Sequence, residues 1–266
     1  MKASFGALVD RLAQYVGFAI APSFADSYEE LTAAFVGGKI TLAWLPPIPF
    51  IALEQARVAV PLVGHHRAGD ARFYEAVLIT RNDTTLMSAT DIHGTRVAWV
   101  DALSASGYAL PRIRLAALGI DPRTAFASEV FLGSHDAVVR AVVGGRADLA
   151  GTYGRVDAQG RIVQGSWSSI EGATEALHVF MSFGAIPTDV TAARAALPEA
   201  LREQLARGLV TIAREPDGSQ HVREVFGVDE LSPWVTATYD PLRRAIAAAS
   251  ARGLLDAIDT LEVRSL

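Results

Sequence analysis

The residues best equipped for chemistry in this sequence lie at positions 101–111, DALSASGYALP. Ser104 and Ser106 supply two hydroxyls, and Gly107 lets the backbone come close to a ligand. A strand-like run at 95–100 precedes this stretch and a helical run at 108–118 follows it. A helix entered in this way starts with backbone N–H groups that lack intrahelical acceptors, beside the positive end of its dipole. Hydroxyls, amides and dipole together make an anion site, while the same serines also serve as an ordinary N-cap. The stretch alone leaves both readings open.

Two more helix starts carry polar rings. SYEELTAAFVGGKITLAW, from Ser27, aligns without a gap on SHDAVVRAVVGGRADLAG, from Ser134. The leading Ser, the acid two residues on, the apolar phase, the Gly-Gly stop, the basic residue and the Leu-Ala of the strand coincide. Ser27 with Glu30 has the pattern of a capping box, and Gly-Gly is a helix stop. Tyr28 falls opposite His135. A repeat of this kind implies two similar α/β lobes, each with a Ser-capped helix start that presents a phenol or an imidazole.

Composition bounds what such a site can serve. The 266 residues are 50% hydrophobic and 20% charged, which suits a soluble globular chain with a large core. Net charge is −5 and no Lys/Arg run stands out, so neither a nucleic acid nor an anionic membrane is an expected partner. An anion must therefore be held by local donors. With no cysteine, disulfides, thiolate metal sites and Cys nucleophiles are excluded. No apolar run is long enough to span a bilayer. No P-loop, GxGxxG, GxSxG or HExxH pattern occurs, and no cofactor or metal is expected. His65-His66 lacks a third ligand at a usual spacing and reads as an exposed loop pair. Trp44 and Trp99 read as core, and Asp148 as structural. His135, Ser106 and Asp189 can be imagined as a triad, but a Ser packed at a helix start is poorly placed as an activated nucleophile.

The elements that must position these residues follow from periodicity and breakers. A helix is expected at 5–16, a strand at 18–21, a helix at 28–36 and a strand at 39–44, ended by a loop through Pro46, Pro47 and Pro49. Strands follow at 58–63 and 73–79, and a turn at 82–85 leads out of the first lobe. In the second lobe strands are expected at 130–132 and 176–183, with an exposed loop at 157–169. Residues 184–189 form the turn back, and from Arg194 on the chain is helical. Alternating strands and helices with two crossings predict an α/β fold of two hinged lobes, 1–82 plus 187–266 and 83–186, with the ligand in the cleft.

With these pieces in place the sequence resembles the phosphate-, phosphite- and phosphonate-binding proteins of ABC importers, which have the type II periplasmic-binding-protein fold. The resemblance rests on SYEELTAAFVGGKITLAWL, FYEAVLI, DALSASGYALPRIRLAALGID, FLGSHDAVVRAVVGGRADLA, IPTD and YDPLR, in the family's order. It implies Tyr28 and Tyr74 as first-lobe hydroxyl donors and Ser104, Ala105 and Ser106 as the second-lobe cradle. His135 is implied as the imidazole on an oxyanion oxygen, and Asp189 as a carboxylate facing the bound group. A tetrahedral oxyanion needs many donors, which hydroxyls, amides and imidazole supply. A carboxylate beside it selects a ligand that keeps a proton to donate.

The sequence departs from the family in three places. Ala105 stands at the middle of the usual Ser-Thr-Ser, so one hydroxyl is missing. Arg155 stands where binders of aminoalkyl phosphonates present an acid, which disfavours a cationic ligand. It either pairs with the anion or lies solvated on a loop. The family's export signal and first strand are not visible: Asp10 and Arg11 interrupt the only apolar start, so the chain as written reads as cytoplasmic where the family is periplasmic. The place of the missing strand is one the C-terminal tail could fill. The expected function is a receptor for a small phosphorus oxyanion, with a permease or a signalling domain as partner. The rival is an unexported enzyme on the same fold, of the menaquinone- or thiamine-pathway type, acting on a small carboxylate or carbon acid.

Overall fold

A computed structural model describes residues 2–67, 72–157 and 159–255. In chain order the regular elements are α1 (Lys2–Val16), α2 (Tyr28–Val36), β1 (Leu42–Leu45), α3 (Pro47–Gln55), β2 (Ala59–His66) and β3 (Phe73–Arg81). Next come β4 (Arg96–Trp99), α4 (Leu110–Ala117), β5 (Ser128–Phe131), α5 (His135–Val143), β6 (Leu149–Val156), β7 (Ile162–Gly165) and α6 (Ala173–Ala176). The chain continues through β8 (Leu177–Pro187), β9 (Val190–Arg194), α7 (Glu199–Arg214), α8 (Pro216–Phe226), β10 (Glu230–Pro233) and α9 (Asp240–Ser250). One compact unit extends to Arg72 and resumes from Pro187 to Tyr239; the other holds Phe73–Ile186 and the described residues from Asp240 on.

The first unit is built on an antiparallel sheet in the order β1-β9-β2-β10. Leu8, Leu12 and Val16 recur every fourth residue, so α1 buries one stripe against α7, α8 and the sheet residues Leu62 and Leu231. Gly208 on α7 lets the two helices touch, since a Cβ there would stand 2.8 Å from Tyr15 and 2.9 Å from Leu12. Two expectations fail here. The prolines after β1 do not make a loop but start α3: Pro47 sits in the first turn, where the missing N–H removes no hydrogen bond. Residues 18–21 form no strand; they have no sheet neighbour, and Phe18 is 43% exposed. The suggested role for the C-terminal tail concerns residues outside the described ones.

The second unit holds the sheet β5-β4-β6-β3-β8, with β7 added beside β6. β4 runs parallel to both β5 and β6, while β3 is antiparallel to β6. Val138, Val139 and Val142 of α5 pack on Val77, Ile79, Ala98 and Ala150 of the sheet. β3, read from sequence as part of the first lobe, is a strand of this sheet, because its buried run Ala76–Ile79 pairs with residues 150–153 of β6. α9 likewise packs against α4. The expected loop at 157–169 contains β7, whose pairing with β6 carries the chain back to a buried Ser166.

Candidate functional site

Three parallel strands bring most of the candidate side chains to one edge of the second sheet. β4, β5 and β6 point the same way, so the segments that leave them emerge together, the usual place for ligands in α/β sheets. The ends are tied: Leu132 N–H donates to Trp99 O at 2.9 Å, and Gly133 N–H to Val100 O at 2.8 Å. The chain leaving β4 makes the serine turn; the chain leaving β5 reaches Ser134 and His135. Ala98 stands opposite Ala150, which sets Thr152 and Tyr153 at the same end of β6.

The serine turn is a cap. Residues Ala105–Ala109 form a wide π-helical turn, a form frequent at functional sites. Ser104 Oγ accepts the Gly107 N–H at 3.0 Å, and Ser104 O accepts the Ala109 N–H at 3.0 Å. The cap still leaves the Ser104 hydroxyl proton to donate, and Ser106 is buried beside it. Gly107 is required here by close approach: a Cβ would lie 2.8 Å from Ser104 Oγ and still closer to Val100. Gly151 answers it from β6, where a Cβ would meet Gly107 O at 2.8 Å.

His135 opens α5, whose start is capped by Ser134 Oγ on Ala137 N–H at 3.2 Å. Its Nδ1 lies 2.8 Å from Thr152 Oγ1, which in turn lies 2.6 Å from Ser166 Oγ. Burial pushes the imidazole down to about 4, so it is neutral at neutral pH. The ring meets Tyr153 edge-on at 4.8 Å, and Tyr153 meets Tyr74 at 6.2 Å. The Arg155 guanidinium stands over the Tyr153 ring at 5.9 Å, and its Nε is buried with no hydrogen-bond partner among the described residues. Arg155 is thus a strand residue, paired with Gln164 of β7, rather than a loop one.

The first unit contributes a separate set. Tyr28 is the first residue of α2, half-buried, behind a Ser27 whose Oγ accepts the Glu30 N–H at 3.0 Å. Glu30 reaches back to the Asp26 N–H at 2.7 Å. Asp189, just before β9, accepts the Trp44 indole N–H at 2.8 Å. Burial pushes its carboxyl up to about 6, against the opposing pull of that indole and of Arg67. Asp189 also lines a shallow cavity with Gly64, His66, Thr188, Trp234 and Tyr239.

His65 and His66 are not an exposed loop pair. Both are buried in β2, a strand with neighbours on each side. His65 Nε2 lies 2.8 Å from Thr191 Oγ1 and His66 Nε2 lies 2.5 Å from Ser232 Oγ. Burial, with the nearby His66 and Arg67 charges, pushes His65 down to about 3. Trp44 corrects a second expectation: at 38% exposure it is no core residue but a donor to Asp189, stacked on His65 at 6.2 Å.

Tyr74, Ser104, Ala105, Ser106, His135 and Arg155 therefore belong to the second unit, and Tyr28 and Asp189 to the first. Tyr74 was expected from the first lobe; β3 carries it into the second sheet. Sequence reasoning missed Thr152, Tyr153 and Ser166. The one available signal was a Thr-Tyr pair interrupting the small apolar run at the end of the second repeat.

Comparisons with solved structures agree on the fold. The chain is similar in structure to a binding protein component of an ABC phosphonate transporter from Pseudomonas aeruginosa, with TM-score 0.77, 18% identity, and 99% of this chain and 92% of that one covered. PhnD1 from Prochlorococcus marinus, solved in complex with methylphosphonate, matches with TM-score 0.75 and 15% identity over 94% and 93%. XAC2383 from Xanthomonas citri, solved bound to ATP, matches with TM-score 0.75 and 18% identity over 97% and 94%. These likenesses establish the type II periplasmic-binding-protein fold. The family profile described as ABC transporter, phosphonate, periplasmic substrate-binding protein matches residues 1–239. By that match the chain belongs to the family of periplasmic substrate-binding proteins of ABC phosphonate transporters.

Proposed function

We propose that this chain captures a small phosphorus oxyanion, namely phosphate, phosphite or a simple phosphonate, and passes it to the permease of an ABC importer. The observation that carries the choice of ligand is the carboxyl edge of the second sheet. The chain leaving β4 there carries the buried Ser104 and Ser106 and the turn amides, the chain leaving β5 carries a neutral His135, and Arg155 stands over the Tyr153 ring that this imidazole meets edge-on. Such a set matches an anion with several acceptor oxygens and offers little to a carbon acid. We assign ligand contacts also to Tyr74 and Ala105 of this unit and to Tyr28 and Asp189 of the first. A carboxyl that holds its proton up to about 6 tolerates an oxyanion and favours one that keeps a P–OH. The Prochlorococcus marinus protein, in complex with methylphosphonate, supports the same ligand class. The family is one of binding proteins, so reversible capture is favoured over the biosynthetic-enzyme alternative.

A thermal-shift panel of phosphate, phosphite, methylphosphonate, aminoethylphosphonate, sulfate and small carboxylates tests this. A ligand at a hundredfold excess over its Kd stabilises the native state by about 2.7 kcal/mol, a shift of several degrees. At least one phosphorus oxyanion must raise the melting temperature while the carboxylates do not. A panel in which no phosphorus oxyanion moves it removes the proposal.

A further inference from the structure

We propose that Thr152 and Ser166 are positioning residues that hold the Nδ1 of His135 as a hydrogen-bond acceptor and so turn its Nε2–H into a donor for the anion. The proposal rests on the reading that His135 contacts a phosphorus oxyanion.

Three polar groups from three elements stand in a row: the imidazole at the start of α5, a threonine in β6 and the serine that follows β7. Thr152 Oγ1 is 2.8 Å from His135 Nδ1 and 2.6 Å from Ser166 Oγ. Thr152 is wholly buried and Ser166 nearly so, which leaves them each other and the imidazole rather than water as partners. Thr152 has one proton and two neighbours. If it donates to Ser166, His135 must donate Nδ1–H to Thr152, and Nε2 becomes a bare lone pair. If it donates to His135, then Ser166 donates to Thr152, and Nε2 carries the proton. A lone pair facing an ionised oxygen repels it, whereas Nε2–H donates to it. Only the second arrangement serves an anion. The edge contact with Tyr153 at 4.8 Å resists the ring flip that would put Cδ2 in place of Nδ1 against Thr152. A Val–Ala pair would fill the places of Thr152 and Ser166 with no polar group to satisfy, so the hydroxyls here are a constraint that packing alone does not call for.

The imidazole ¹⁵N–¹H spectrum of the ligand-free full chain tests the assignment, with His135 identified by its loss in His135→Gln. The expected parent spectrum shows an Nε2–H tautomer with Nδ1 hydrogen-bonded. In Thr152→Val the Nδ1 resonance moves to the position of an unbonded ring nitrogen, and affinity for methylphosphonate and for inorganic phosphate falls about threefold to tenfold. Thr152→Ser restores both readouts, which a merely structural role of the methyl group would not do. Ser166→Ala, which leaves the Thr152 proton only His135 Nδ1 to donate to, is expected to keep the Nε2–H tautomer with a smaller loss of affinity, and Thr152→Ala serves if Thr152→Val fails to fold. An Nδ1–H tautomer in the parent overturns the proposal, as does a folded Thr152→Val with unchanged Nδ1 resonance and affinity. A parent with the Nε2–H tautomer that binds neither anion instead sinks the reading of the ligand and leaves the tautomer assignment supported.

Discussion

The indole N–H of Trp44 donates to the carboxylate of Asp189 at 2.8 Å, joining the end of β1 to the start of β9. The two residues are 145 positions apart, and neither neighbourhood in the sequence announces the other. The bond lowers the cost of an ionised Asp189 but does not cancel the desolvation that raises its pKa to about 6.

A pH-dependent stability follows from that carboxyl. An acid whose folded pKa is raised favours the native state while it is protonated, and its contribution is lost as pH climbs from about 4 to about 6. Asp189→Asn keeps an acceptor for Trp44 without the charge. The variant should match the parent near pH 4 and exceed its stability above pH 6. Because the carboxyl retains some solvent access, the gain is discounted to the order of 1 kcal/mol. Chemical denaturation at pH 4 and pH 7.5 measures it; a variant equally or less stable than the parent at pH 7.5 contradicts the assigned cause.

His65 acts in the opposite sense. A histidine held neutral by burial supports the fold above its unfolded pKa near 6.5, and that support drains away as pH falls toward about 3. Well below 6.5 the loss approaches about 1.4 kcal/mol per pH unit for this one group. His65→Asn should therefore be less stable at pH 7, having lost ring packing on Trp44 and Phe226, yet show a shallower fall between pH 6.5 and pH 4.5. Parallel stability curves for parent and variant would show that His65 is not the group titrating.

Anion affinity should depend on the serine turn and on the imidazole together. Ser106→Ala and His135→Ala are each expected to weaken the best ligand by about tenfold, the effect of one charge-assisted hydrogen bond, with melting temperatures of the free proteins within a few degrees of the parent. Calorimetric titration decides; parent-like affinity in both variants places the ligand elsewhere.

Arg155 should set the sign of the tolerated substituent. Parent protein is expected to prefer methylphosphonate to aminoethylphosphonate, whose ammonium meets a guanidinium rather than a carboxylate. Arg155→Glu should move the ratio of the two affinities toward the amine by about tenfold or more, read by competition between the two ligands. An unchanged ratio would remove Arg155 from the site.

Gly107→Ala tests how closely the turn is pressed on the sheet. The added methyl would collide with Val100 and Ser104, and such overpacking costs about 1–3 kcal/mol. Loss of binding together with a lowered melting temperature is the expected result; a variant as stable as the parent would mean that the turn sits farther from β4.

What the amino-acid order determined by itself was local. Ser27 and Ser134 cap helix starts, as read from sequence, and of the pair Ser104 and Ser106 it is Ser104 that caps, because a cap needs only a hydroxyl and the next three backbone amides. The duplicated helix–glycine–strand unit, and with it an α/β fold, was legible for the same reason. Tertiary structure decided what depends on strand pairing between distant segments. β9 is alanine-rich and carries no strand signal of its own in the sequence, yet it lies between β1 and β2 with Val190, Ala192 and Ala193 buried. That pairing buries His65 and His66, brings Asp189 to Trp44, and elsewhere carries Tyr74 into the second sheet and sets Thr152 beneath His135. Hydrogen-bond register across a sheet is a non-local quantity, and a one-residue slip turns every side chain to the other face, so no local pattern could have specified these neighbours.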